Sequence, residues 1–85
     1  HTVCVVLTAE FLEYSKASGN DLSTPRPEYN FPGLQAGQRW CLCVARWLEA
    51  YRAGNAPNVS LNSTNQLALE IVPLAALKQH AIDLH

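Results

Sequence analysis

The segment from Asn20 to Gln38 constrains the fold of this chain most, because it carries three prolines and two glycines and shows no hydrophobic period. Each proline fixes its own φ and biases the preceding residue towards extended backbone. A compact domain seldom keeps so long a structureless connection unless the segment binds something or packs as a lid. We therefore predict a stiff, ordered loop that is anchored in the domain by Tyr29, Phe31 and Leu34.

Length and charge limit the class of protein. The 85 residues suffice for one small domain with a modest core. Lys and Arg (6) nearly balance Asp and Glu (7), which gives a net charge of −1 and argues against a nucleic-acid partner. The longest apolar run, Trp40 to Ala45, is far shorter than the ~20 residues that cross a bilayer, so we expect no membrane association. The chain starts at His1 without a Met, and we expect it to lack an upstream segment of a longer protein.

The first third of the chain predicts a strand followed by a helix. Residues Thr2 to Leu7 are short, β-branched and apolar, as expected of a buried strand. Thr8 is a suitable N-cap for a helix from about Ala9 to Ser18, and Gly19 suits the left-handed position after its end.

The segment from Arg39 to Ala53 has two interpretations. As a strand, Trp40 to Val44 would place Cys41 and Cys43 on one face. As a helix, the segment gathers its charged residues on one narrow stripe, namely Arg39, Arg46, Glu49 and Arg52. The helix accounts for more residues, and we predict it.

The last third predicts a strand over Val59 to Leu61, which would pair with the first strand. Thr64 or Ser63 is expected to cap a further helix, and Pro73 to open a terminal helix. The apolar face of that terminal helix would comprise Leu74, Leu77, Ala81 and Leu84. The predicted fold is therefore α+β, with a mixed or antiparallel sheet of two to three strands, three to four helices and the proline-rich loop.

Four segments together resemble a family of small bacterial proteins known only as a domain of unknown function. They are Gly19–Glu28 (GNDLSTPRPE), Phe31–Leu34 (FPGL), Arg39–Trp47 (RWCLCVARW) and Ala68–Leu74 (ALEIVPL). The resemblance implies an upstream segment that contains glycine and cysteine, and it implies no particular activity. Family members often carry Thr-His where this chain has Thr64-Asn65, so the resemblance implies no histidine ligand there.

The three cysteines, an odd number, suggest reduced thiols in a cytoplasmic protein rather than a disulfide framework. On the predicted helix, Cys41 and Cys43 would point about 200° apart, among apolar neighbours that make thiols inert. We therefore expect core cysteines and no cofactor. The alternative is a metal-binding or thiol-redox protein, in which zinc or another thiophilic metal would be held by His1, Cys4, Cys41 and Cys43.

Charged residues of the loop and of the predicted helix form the main candidate site. It comprises Asp21, Arg26, Glu28, Arg39, Trp40 and Arg46. Arg26 and Arg39 could present planar forks of N–H donors to a carboxylate or phosphate. The alternative is purely structural: the charged residues form ion pairs that fix the loop, and Asp21 caps a turn, so that no ligand is needed. We predict a non-enzymatic domain that binds a small anionic molecule or a protein partner between the 20–38 loop and the 39–53 helix. A homodimer is also plausible, because an unpaired strand edge invites a partner.

Overall fold

A computed structural model describes residues 1–83 of the chain as an α+β domain, as the sequence predicts. Its strands are β1 (Thr2–Val6), β2 (Arg39–Cys43) and β3 (Asn58–Val59). Its helices are α1 (Ala9–Ala17), α2 (Val44–Arg52) and α3 (Leu74–Gln79). Three short 3-10 turns cover Pro27–Tyr29, Leu61–Ser63 and Gln66–Glu70. The predicted apolar position Leu84 lies outside the described residues.

The three strands form one antiparallel sheet in the order β2-β1-β3. Val3 lies opposite Leu42, and Val5 lies opposite both Trp40 and Val59. Because side chains alternate along a strand, these residues share one face of the sheet. That face, here called the inner face, supplies Val3, Val5, Leu42 and Val59 to the hydrophobic core.

Helices α1 and α2 complete this core. The Thr8 hydroxyl caps α1 by accepting from the Phe11 backbone N–H at 3.2 Å, as predicted, and Phe11 is buried. Trp47 of α2 is fully buried and stacks on Tyr51, with 5.2 Å between ring centroids. Its indole N–H reaches the Pro57 carbonyl oxygen at 3.4 Å, so the buried polar atom has a partner.

The prediction of a single helix from Arg39 to Ala53 is wrong, because its first five residues form β2. All five pair with β1, and this non-local ladder outweighs the local helical pattern. The charged stripe arose partly by coincidence, since Arg39 falls seven residues before Arg46 without sharing its helix. Residues Arg46 to Arg52 do lie on α2.

The proline-rich loop is held by its own turns and bridges. Arg26 and Phe31 exchange two backbone hydrogen bonds, of 2.7 and 3.1 Å. Leu34 is buried and Phe31 is half-buried, as expected of anchors, but the prediction for Tyr29 is wrong, since it is 79% exposed. Tyr29 ends a 3-10 turn in which no residue is buried.

The last third differs from its prediction in detail. Strand β3 pairs with β1 as expected but covers only Asn58–Val59. The predicted helix after Thr64 is a 3-10 turn, and Asn65 caps it by accepting from the Leu67 N–H at 2.8 Å. Pro73 lies one residue before α3.

Candidate functional site: a groove on the outer face of the sheet

A disulfide between Cys4 and Cys41 lies on the face of the sheet opposite the core, here called the outer face. The two cysteines are directly opposed on β1 and β2. The same alternation places Arg39 and Cys43 on this face, one on either side of Cys41 along β2. The outer face thus presents an arginine, a disulfide and a free thiol in a row.

The backbone geometry explains why these two cysteines meet. The Cys4 carbonyl accepts from the Ser60 N–H at 2.8 Å, and the Cys4 N–H donates to the Thr64 hydroxyl at 3.2 Å. Both backbone groups of Cys4 therefore point away from β2. Cys4 and Cys41 form a non-hydrogen-bonded pair, the kind in which opposed residues approach most closely. Their Cα atoms lie 3.9 Å apart.

The prediction of three reduced, buried thiols is wrong. Cys4 is half-buried and bonded to Cys41, and both Cys41 and Cys43 are exposed. The error follows from the helix prediction, because only the strand places these side chains on a solvent-facing surface.

The predicted metal set of His1, Cys4, Cys41 and Cys43 is wrong as well, because two of its sulfurs are bonded to each other. A disulfide sulfur carries no thiolate with which to bind a metal. Within residues 1–83, no group of three His, Cys, Asp or Glu side chains is arranged to hold a metal ion.

The disulfide lines a groove of about 360 Å³. The groove is lined by residues of β1, of β2 and of the segment that follows β3, namely Cys4, Val5, Arg39, Trp40, Cys41, Ser60 and Ser63. The Trp40 side chain lies on the inner face with Val5, where the residue is 40% exposed and packs edge-on against Phe31 of the loop, with centroids 6.4 Å apart. Within the groove, the Ser60 hydroxyl donates to that of Ser63 at 3.3 Å.

Arg39 is the charged residue of this groove. Its side chain is exposed, and within residues 1–83 no carboxylate lies within ion-pair distance of it. By contrast, Arg46 on α2 lies 3.5 Å from Glu49. A guanidinium without a carboxylate partner keeps its planar fork of N–H donors available to a ligand.

Of the six predicted site residues, the structure brings Arg39 and Trp40 together at the groove. Arg26 and Glu28 are exposed around the 3-10 turn of the loop, and Arg46 is exposed on α2. The loop does approach β2, through the contact of Phe31 with Trp40.

Asp21 caps a turn of the loop. One of its carboxylate oxygens accepts from the backbone N–H groups of Ser23 and Thr24, at 3.0 and 3.1 Å, and the other accepts from the Thr24 hydroxyl. The hydrogen bond from the Thr24 side chain is the main cause that lowers the pKa of Asp21 to about 2. These contacts hold the loop in shape without any ligand.

Sequence reasoning missed Cys4, Ser60 and Ser63 as groove residues. For Cys4 the sequence did contain a signal. Cys4 lies in the first predicted strand, and the strand interpretation of residues 40–44 would allow Cys41 to face a neighbouring strand. The two serines had none, because Ser60 lies 56 residues from Cys4 in sequence and reaches it through tertiary contacts, among them the hydrogen bond from its N–H to the Cys4 carbonyl.

Comparison with known families supports the resemblance in the sequence. Residues 1–81 match the model of a family described as an uncharacterized protein conserved in bacteria (DUF2237). The chain belongs to this family. A comparison with curated proteins finds no match. In the described part of the chain, no helix is both long and apolar enough to traverse a bilayer.

Proposed function

We propose that this bacterial family member is a non-enzymatic binding domain whose site is the outer-face groove, and that its ligand is a small anionic molecule. The observation that carries the proposal is Arg39, a guanidinium with no carboxylate partner within residues 1–83, at a groove lined by a disulfide and by Ser60 and Ser63. This groove replaces the predicted cleft between the loop and a helix, because β2 holds Arg39 and Trp40.

The size and lining of the groove support a small ligand. Its volume of about 360 Å³ is near the lower end of small-molecule sites. A carboxylate or phosphate matches the planar fork of Arg39 in a bidentate way. The Ser63 hydroxyl supplies a further polar contact.

The sequence analysis also predicted a protein partner as the alternative to a small anionic ligand, and it predicted a homodimer. Both stay predictions. We also propose a cytoplasmic location, since one disulfide is far from the cysteine density of small secreted domains. In a reducing compartment, a disulfide is usually transient and reactive.

The test uses two matched arginine variants, Arg39→Gln and Arg46→Gln. Both side chains are exposed, and only Arg39 lines the groove. Binding of propionate, succinate and inorganic phosphate is followed by NMR chemical shifts of the backbone amides at constant ionic strength. We expect shifts at Arg39, Cys41 and Ser63 in the parent and about tenfold weaker binding in Arg39→Gln, since a charge-assisted hydrogen bond contributes about 1.5 kcal/mol or more.

Arg46→Gln should bind as the parent does. Equal binding by both variants, or shifts spread evenly over the surface, would show that the groove is not an anion site.

A further inference from the structure

We propose that the groove is a thiol–disulfide exchange site for small anionic thiols, with the Cys4–Cys41 disulfide as the reacting group. This inference rests on the proposed function, because it uses Arg39 to bind the negative group of the ligand. It adds what the ligand is: a low-molecular-weight thiol that carries a carboxylate.

The first support is the accessibility of one sulfur. Cys41 is exposed and Cys4 is half-buried, and both line the groove. Exchange requires in-line approach of a thiolate to a disulfide sulfur, so access decides which sulfur is attacked. Because Cys41 is the more exposed residue of the pair, we expect its sulfur to be the one that a ligand in the groove attacks.

The second support is the position of Arg39. It lies two residues from Cys41 on the same strand face, which corresponds to about 7 Å along β2. A thiol with its carboxylate a few bonds away spans that distance. The same positive charge also favours the thiolate forms that appear during exchange.

The ligand thiolate attacks the Cys41 sulfur and forms a new S–S bond, while the bond from Cys41 to Cys4 breaks. The electron pair remains on the Cys4 sulfur, which takes a proton. A second ligand thiolate then attacks the ligand sulfur of this mixed disulfide, and Cys41 leaves as a thiolate that is protonated. Two ligand thiols are thereby oxidised to one ligand disulfide, and the protein disulfide is reduced to two thiols.

The experiment measures how the charge of a thiol affects the rate at which it reduces the native disulfide. Cys43→Ser serves as the parent, because it removes the exposed free thiol that would otherwise react with the probes. The probes are 3-mercaptopropionate (anionic), 2-mercaptoethanol (neutral) and 2-aminoethanethiol (cationic). Acid quenching, alkylation and mass spectrometry count the new thiols, and each rate is divided by the thiolate concentration of its probe.

The decisive quantity is the ratio of the anionic to the cationic rate, compared between variants. Intrinsic reactivity of the probes cancels in this comparison. We expect the ratio to be about threefold higher in the parent than in its Arg39→Gln variant, as for an exposed ion pair, and unchanged by Arg46→Gln. The difference should shrink as the ionic strength is raised from about 0.01 M to about 1 M.

Two results would overturn the exchange site: a ratio that is the same in all three proteins, or reduction no faster than global unfolding for every probe. Propionate, which has no thiol, separates this inference from the proposed function. If propionate binds at Arg39 and the rate ratio is flat, the exchange site is wrong and the anion site stands. If propionate does not bind and the ratio still depends on Arg39, the binding function is wrong and the exchange site stands.

Discussion

Reduction of the Cys4–Cys41 disulfide should destabilise the domain by about 2 to 4 kcal/mol. The bond joins residues 37 apart in sequence. In the chain-entropy account, closing a loop of 15 residues contributes about 3 kcal/mol and a loop of 100 residues about 4.7 kcal/mol, so this loop gives about 4 kcal/mol. Measured values are often smaller, which sets the lower limit.

The assay is equilibrium unfolding in guanidinium chloride, followed by tryptophan fluorescence, because Trp47 is fully buried and should report the loss of the core. With a slope of about 2 kcal/mol per M, the midpoint should fall by about 1 to 2 M on reduction. The measurement uses Cys43→Ser with and without reductant, so that neither form can exchange partners with the free thiol. Cys43→Ser by itself should not lower the oxidised midpoint, because this side chain is exposed and serine is a favoured residue at the N-cap of α2, which Cys43 occupies.

Either of two outcomes would refute the reasoning. A midpoint shift below about 0.3 M would show that the bond does not constrain the unfolded chain under these conditions. A loss well above about 5 kcal/mol would show that reduction also removes native contacts, which the chain-entropy account does not include.

Two further predictions concern the proline-rich loop. In the same unfolding assay, Gly33→Ala should lower the free energy of unfolding by about 1 to 3 kcal/mol more than Gly37→Ala does. Both glycines have positive φ (80° and 92°), but only a Cβ at Gly33 would collide with the Ser23 carbonyl. Equal losses would show that the loop shifts to relieve the contact. The stabilisation by Asp21, measured against Asp21→Asn, should be complete above about pH 4 and lost as the pH falls towards 2. The reason is that folding lowers the pKa of Asp21 from 3.8 to about 2, so that between these values the unfolded chain binds a proton that the folded protein does not. A difference that is constant from pH 2 to 6 would contradict this role of the turn.

Local signals in the sequence predicted the elements whose stability is local. The Thr8 cap and the left-handed Gly19 lie at the two ends of one helix, and the sequence shows them directly. Strand β1 was predicted from its apolar β-branched run. In contrast, β2 is a strand because it pairs with β1, and the pattern of residues 39–43 alone does not contain that information.

The same distinction explains the candidate site. Arg39 and Trp40 were identified from residue type and from their closeness in sequence to the polar loop. The disulfide required the β1–β2 register, since a shift of one residue would turn every side chain of a strand to the other face. Ser60 and Ser63 required in addition the path of the chain beside β1.

The register of β1 and β2 also determines where Cys4 and Cys41 lie after the disulfide has been reduced. The alignment of β1 with β2 does not depend on the disulfide alone, because Val3, Val5 and Leu42 are buried on the inner face and would be exposed by a one-residue shift. In a folded, reduced protein, Cys4 and Cys41 would therefore still face each other across the outer face, in the closest type of cross-strand pair. Opening and closing of this disulfide then requires no rearrangement of the fold, and Arg39 stays beside it in both states. A groove of this kind suits reversible exchange, since the core holds the two sulfurs in place while the solvent-exposed face admits the thiol.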